Sequence, residues 1–328
     1  MNEEAMQAKK DFSRIGLSLF AIAALTVALQ FFLSILWTVL TMDSPLQTAE
    51  WALWLLNYGP IYLVAMPIGV WMMREVPVED IPGQKLGFRR FGVLMLICMP
   101  IMYGGNIIGT ILSSLLSGGT AQNALVELIM ENPVSTMVTA VLIAPFLEEY
   151  IFRKQIIDRL GKYGELTAIL FSALTFGLFH MNLFQFFYAF GLGLIFAYVY
   201  TRTRMLRYPV LMHMIINFLG SAVAPLLLNN LDMDVLEALE AGEATMEQIL
   251  PVLPGLLAYL GYTGLLLISV VTGATLLSLR WNKRILLPSS RELPAGSRIR
   301  ISWGNVGTIL FTILCFIMIL FSLISGLL

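Results

Sequence analysis

The chain has 328 residues, of which 58% are hydrophobic and only 12% charged, with a mean hydropathy of +0.81 and a net charge of −1. Soluble domains carry roughly a quarter charged residues, so a water-soluble fold is excluded: there is too little polar surface to cover one of this size. The near-neutral net charge says less than the placement of the charges along the chain.

The apolar residues come in runs of the length a spanning helix needs, about 20 residues. The first, 15–40, is about twice as long as the apolar core of a typical leader. No A-x-A site follows it, so it reads as a permanent first span. The later runs are 51–73, 91–116, 134–157, 166–180, 183–201, 210–228, 255–279 and 303–328. They predict an all-α, polytopic transmembrane helical bundle of about nine spanning or re-entrant helices. The organisation that follows is N-terminal transmembrane helices over 1–133, a core over 134–228, an acidic segment over 229–254 and C-terminal transmembrane helices over 255–328.

Lys and Arg concentrate in cytoplasmic loops, which gives an internal check. The N-terminus has Lys9, Lys10 and Arg14, and the next loop only Asp43 and Glu50. Arg74, Lys85, Arg89 and Arg90 follow the second run, and Glu127 and Glu131 the third. Then come Arg153, Lys154, Arg159 and Lys162, an uncharged turn at Met181, and Arg202, Arg204 and Arg207. Asp232, Asp234, Glu237, Glu240, Glu243 and Glu247 follow without a base, and Arg280, Lys283, Arg284, Arg291, Arg298 and Arg300 precede the last run. Basic and base-free loops alternate without a break. This predicts a multi-pass integral membrane protein with a cytoplasmic N-terminus. It also predicts a short external amphipathic helix near 232–248, acting as a solvated cap.

Cys98 and Cys315 each sit in an apolar run and read as small packing residues, neither a disulfide nor a metal knuckle. Gln30, Asn57, Asn106 and Gln185 read as interhelical hydrogen-bonding groups. The Gly191-x-Gly193 pair reads as close helix packing; no P-loop Lys-Ser/Thr follows it, so no nucleotide is expected. No nucleic-acid partner is expected either. No internal repeat of the kind that builds many transporters is evident.

Ionisable residues inside spans are costly and mark interior or water-lined positions. Here they cluster in APFLEEYIFRKQI. On a helix Glu149 and Arg153 share a face, with the acid on the favoured N-terminal side. Glu148 lies about 100° round, free to act as a base in a pocket of low dielectric. An interfacial acid pair with Arg153 snorkelling is the plainer alternative. The chain's two histidines follow: His180, one turn after Phe176, and His213, four residues before Asn217 and on its helix face. A lone histidine in a span is often a packing residue; two beside a glutamate pair suit a reaction. A glutamate can take a proton from water while a histidine orients it. A histidine and an asparagine amide can donate to a tetrahedral oxyanion. The same set without the asparagine could hold zinc, although no HExxH is present.

EExxxR at Glu148–Arg153, FxxxH at Phe176–His180 and HxxxN at His213–Asn217, in that order, resemble the three motifs of the CAAX protease and bacteriocin-processing (CPBP, or Abi) family. The resemblance covers about 80 residues, 138–220, with YP shortly before the third motif. It implies an all-helical intramembrane endopeptidase of glutamate type acting on a membrane-associated peptide, a membrane protein or a lipidated substrate, in the plasma membrane of a bacterium. It casts Glu148 as the base, His180 as its partner, His213 and Asn217 as the oxyanion hole, and Glu149, Arg153 and Phe176 as support, with no cofactor. Two other functions fit the same residues: a non-catalytic immunity or scaffolding protein, and a proton-coupled transporter. Glu148 and His213 belong near the basic end of the bundle and His180 near the far end of its run. For them to meet, the 166–201 hairpin must turn within the bilayer or start deeper.

Overall fold

The computed structural model describes residues 3–80, 82–123, 135, 137–228, 231–280 and 286–324, and among them all regular structure is helical. In chain order the helices are α1 (Glu3–Leu40), α2 (Glu50–Met73), α3 (Phe88–Leu116), α4 (138–160), α5 (Glu165–Phe179), α6 (Leu183–Thr203) and α7 (Arg207–Leu228), then α8 (Met233–Glu240), α9 (Met246–Arg280), α10 (Arg298–Ser302) and α11 (Val306–Ile324). Seven of them, α1, α2, α3, α6, α7, α9 and α11, are long and apolar enough to cross a membrane. Exposed aliphatics such as Leu257, Leu265, Leu267, Ile268 and Val271 on α9 form the apolar belt that lipid solvates. The protein is a multi-pass helical membrane bundle. Glu127, Glu131, Lys283 and Arg284 lie outside the described residues.

Helix ends differ from the expected ones where polar residues extend them. α1 is already helical at Glu3, the first described residue, and Ala8, Asp11 and Phe12 in this added part are buried; Phe12 packs edge-on against Phe171, 5.1 Å between ring centroids. The acidic segment is two pieces. Asp232 caps α8 by accepting from the amides of Asp234 and Val235, both at 3.1 Å. Gly242, at φ +73°, then reverses the chain. Thr245 and Gln248 cap α9 reciprocally: the Thr245 amide donates to Gln248 Oε1 at 2.9 Å and the Gln248 amide to Thr245 Oγ1 at 3.4 Å. α9 therefore starts well before 255.

α6 is the central helix, packed against α3, α5 and α7, while α1 packs on α2 and α11 and α9 on α3. Gly191 and Gly193 make the central contacts possible. A Cβ on Gly191 would lie 2.4 Å from Ile101 of α3, and one on Gly193 only 3.1 Å from Ala173 of α5. Small residues let membrane helices approach this closely. Of the polar span residues, Gln30 bonds across helices, to the Asn57 carbonyl at 2.6 Å. Gln185 instead pairs with Asn182 in the turn before α6, and Asn106 is exposed.

The base-rich loops meet at one end of the bundle. Lys162 pairs with Asp11 at 3.1 Å, Arg204 with Asp158 at 3.2 Å, Arg14 with Glu75 and Arg202 with Glu165. Backbone bonds add Glu79 to Asp158, Gln84 to Arg202, Arg291 to Lys162 and Leu293 to Tyr163. Burial and a 2.7 Å hydrogen bond to Asp11 push the Tyr163 phenol well above the ordinary tyrosine range.

Candidate active site

α4 carries the glutamate pair and is not a regular α-helix. It is π-helical over Val138–Ile143, α-helical over Ala144–Glu149, π-helical again over Tyr150–Gln155 and α-helical over Ile156–Leu160. A π turn leaves the i→i−4 ladder, and its carbonyls become available to other donors. The Phe152 carbonyl accepts from Ser172 Oγ of α5 at 2.6 Å, and the Ala140 carbonyl from Asn217 Nδ2 of α7 at 2.7 Å. α4 is thereby tied to both helices that bring the other site residues.

Glu149 and Arg153 are fully buried and joined by two bonds, Nε to Oε2 at 2.7 Å and Nη2 to Oε1 at 3.2 Å. The remaining guanidinium nitrogen donates to Ser172 Oγ at 2.9 Å, and the ion stacks over Phe176 with Cζ 4.6 Å from the ring centroid. Both members of the buried charge pair thus have partners, the condition under which such a pair is tolerated. His213 lies on the other side of Glu149, its Nδ1 at 3.1 Å from Oε1. A carboxylate held by arginine is an acceptor, so Nδ1 carries the proton and Nε2 faces away. It faces Glu148, whose Oε2 is 4.0 Å from Nε2. Among the described residues Glu148 has no arginine or lysine partner.

His180 caps α5, with Nδ1 at 2.9 Å from the Phe176 carbonyl. Since the carbonyl only accepts, Nδ1 is the donor and Nε2 holds the free lone pair. The ring stands edge-on to Phe176 at 4.9 Å, and Phe176 stands edge-on to His213 at 5.8 Å. Phe176 is thus the hub that both imidazoles and the guanidinium touch. Among the described residues no direct hydrogen bond or ion pair joins His180 to Glu148; the carboxylate's imidazole neighbour is His213. Among the described residues Asn217 has one amide hydrogen engaged, with the Ala140 carbonyl, and one left over.

α5 has 15 residues, about 22 Å at 1.5 Å per residue, against a hydrocarbon core of about 30 Å. It starts at the base-rich end and stops short of crossing. Met181 turns the chain with φ +55°, and Asn182 caps α6 by accepting from the Gln185 amide at 2.9 Å. The short helix ends with the His180 ring against Phe176, the same ring that His213 touches. Ser172 and Phe196, which packs on His213 at 5.5 Å, complete the surroundings. Neither stands in a motif; Ser172 was visible only as one turn before Phe176.

Residues 130–219 match the family described as "Type II CAAX prenyl endopeptidase Rce1-like". That segment holds all three motifs and every site residue above. The central segment is similar to the CAAX prenyl endopeptidase family, and the match lends support to a CAAX-protease-like core. The chain is also 33% identical over 95 residues to "Putative membrane peptidase YdiL" of Bacillus subtilis (strain 168). That match covers 29% of this chain and 38% of the relative, so the shared part is well under half of either. No solved structure matches. With the membrane-spanning helices, these findings support a membrane protease. Within residues 130–219, no three His, Cys, Asp or Glu side chains among the described residues converge in a way that would hold a metal ion.

Proposed function

We propose that this protein is a membrane-embedded endopeptidase in which Glu148 activates water against a peptide bond. The observation that carries the reading is the unequal treatment of two adjacent glutamates. Arg153 takes both oxygens of Glu149, while Glu148 faces only the Nε2 side of His213. A carboxylate committed to an arginine is a poor base; its unpaired neighbour in a low-dielectric site is a good one.

The roles follow from proton bookkeeping. Glu148 takes a proton from water as the oxygen attacks the carbonyl carbon. His180, with Nε2 free, accepts a hydrogen bond from the same water and orients it. The carbonyl oxygen gains charge in the tetrahedral intermediate and is met by the free amide hydrogen of Asn217 and by His213. His213 supports it from the Nε2 edge, its ring oriented by the Glu149 carboxylate at Nδ1, as an acid orients histidine in hydrolytic triads. Glu148 then passes its proton to the leaving amine. No cofactor enters the scheme. The substrate is a peptide or membrane protein lying near the base-rich face, and a prenylated peptide, the substrate class in the matched family's description, is one candidate.

The test is Glu148→Gln, expressed at wild-type level and followed by mass spectrometry of membrane-associated peptides. Products present with the wild-type chain should fall by at least about a hundredfold, the scale of a lost general base. Undiminished products would overturn the assignment.

A further inference from the structure

α2 carries an aromatic strip that the scheme above does not use. Trp54, Tyr58 and Tyr62 recur every four residues along one face. Tyr58 and Tyr62 stack with centroids 6.0 Å apart and planes 2° from parallel, and Trp54 meets Tyr58 at 5.8 Å. The strip is fastened to α4: Trp54 Nε1 donates to Thr139 Oγ1 at 2.7 Å, next to the Ala140 carbonyl that holds Asn217. Farther along, Met66–Met73 of α2 contacts Tyr150–Gln155 of α4, so the two helices run side by side and Tyr62, eight residues beyond Trp54, comes level with Glu148, nine beyond Thr139. It therefore runs from the Asn217 anchor to the general base.

Its hydroxyls are unsatisfied. Among the described residues neither Tyr58 nor Tyr62 donates or accepts a hydrogen bond through its oxygen, and neither oxygen is sealed off by packing. An unpaired hydroxyl facing lipid tails is costly, so polar groups at membrane depth face protein, water or a polar ligand. Tyr62 also sits in a π-helical turn, Pro60–Ala65. An extended peptide entering the slab has the matching need, because each of its carbonyls requires a donor there.

We propose that the Trp54–Tyr58–Tyr62 face of α2 is the substrate wall of the Glu148 site: the Tyr62 hydroxyl donates to a peptide carbonyl beside the scissile bond, and the Tyr58 and Trp54 rings cover an apolar side chain on the same strand. The inference rests on the endopeptidase reading and extends it to a substrate class, an extended apolar peptide read by its backbone.

Two measurements on the full-length protein test it. In phospholipid nanodiscs, Tyr62→Cys, Leu63→Cys and Glu148→Cys are challenged with a cationic methanethiosulfonate, which reacts in water and not in lipid. Native Cys98 and Cys315 are buried and serve as background. Labelling should occur at 62 and 148 and not at 63, where leucine is 71% exposed on the lipid side. In cells, Tyr62→Phe should lower the yield of Glu148-dependent peptides roughly three- to tenfold, the scale of one hydrogen bond. Its melting midpoint should stay at the wild-type value. If position 148 labels and position 62 does not, or if Tyr62→Phe yields products at the wild-type level, the wall is wrong and the reading survives. If no product depends on Glu148, the reading fails and the wall with it.

Discussion

Arg153 is the residue on which the site's charge balance turns. It is fully buried, and its polar and ring contacts are to groups the site needs in place: Glu149, Ser172 and the Phe176 and Phe196 rings. Removing one member of a buried pair strands the other, at a cost of about 3–5 kcal/mol, whereas removing both is far milder. Arg153→Met should therefore lower the unfolding midpoint in detergent sharply, and the Arg153→Met, Glu149→Gln double variant should regain most of the loss. Ser172→Ala leaves one guanidinium hydrogen unpaired and should cost less, about 1–3 kcal/mol. If the double variant is no more stable than Arg153→Met, the ion pair is not what holds α4 at this point. Glu149 and Arg153 could be paired from their i, i+4 spacing alone. The contact of His213 with the far side of Glu149 could not, because it depends on how α7 is rotated about its axis.

Helices were legible where apolar residues ran unbroken, and their irregularities were not. The π turns of α4 and α7 illustrate why. Each has a carbonyl answered by a side chain distant in sequence: Ala140 by Asn217, Phe152 by Ser172, and Leu219, in the π turn Leu219–Val223, by the Tyr262 hydroxyl at 2.9 Å. A local pattern carries no trace of a donor on another helix. The same holds for α5, whose apolar run reads as a span although the helix stops at Phe179. Gly193 did read as a packing residue, and its position gives it a functional consequence. A side chain there would press on Ala173 and come within 3.3 Å of Phe176, the hub of both imidazoles. Gly193→Leu should thus displace Phe176, lower the midpoint and abolish cleavage. Gly261→Leu on α9, where a Cβ meets nothing within 4 Å, should change neither. Equal behaviour of the two variants would show that the α5–α6 contact does not position the site.

The molecule as a whole is polar at one end and apolar round its waist. Its base-rich ends, separated by whole spans in sequence, are knitted together by the Asp11–Lys162 and Asp158–Arg204 pairs and by backbone bonds from the linkers to neighbouring helix ends and turns. The alternation of basic and base-free loops requires them to share a side, and the fold brings them to one end. Orientation follows from charge: lysine and arginine near span ends are retained in the cytoplasm, so the knitted end should face inward and the loop between α8 and α9 outward. α5 rises from that end and stops after about 22 Å, so in this orientation His180 should lie within the slab and water should reach the proposed site from the inner side. Single-cysteine probes can decide this, because both native cysteines are buried. Glu243→Cys, exposed between α8 and α9, should react with a membrane-impermeant maleimide in intact cells. Arg89→Cys, exposed at the start of α3, should react only after permeabilisation. The reverse pattern would turn the molecule over, and the substrate would then have to approach the glutamate from outside the cell.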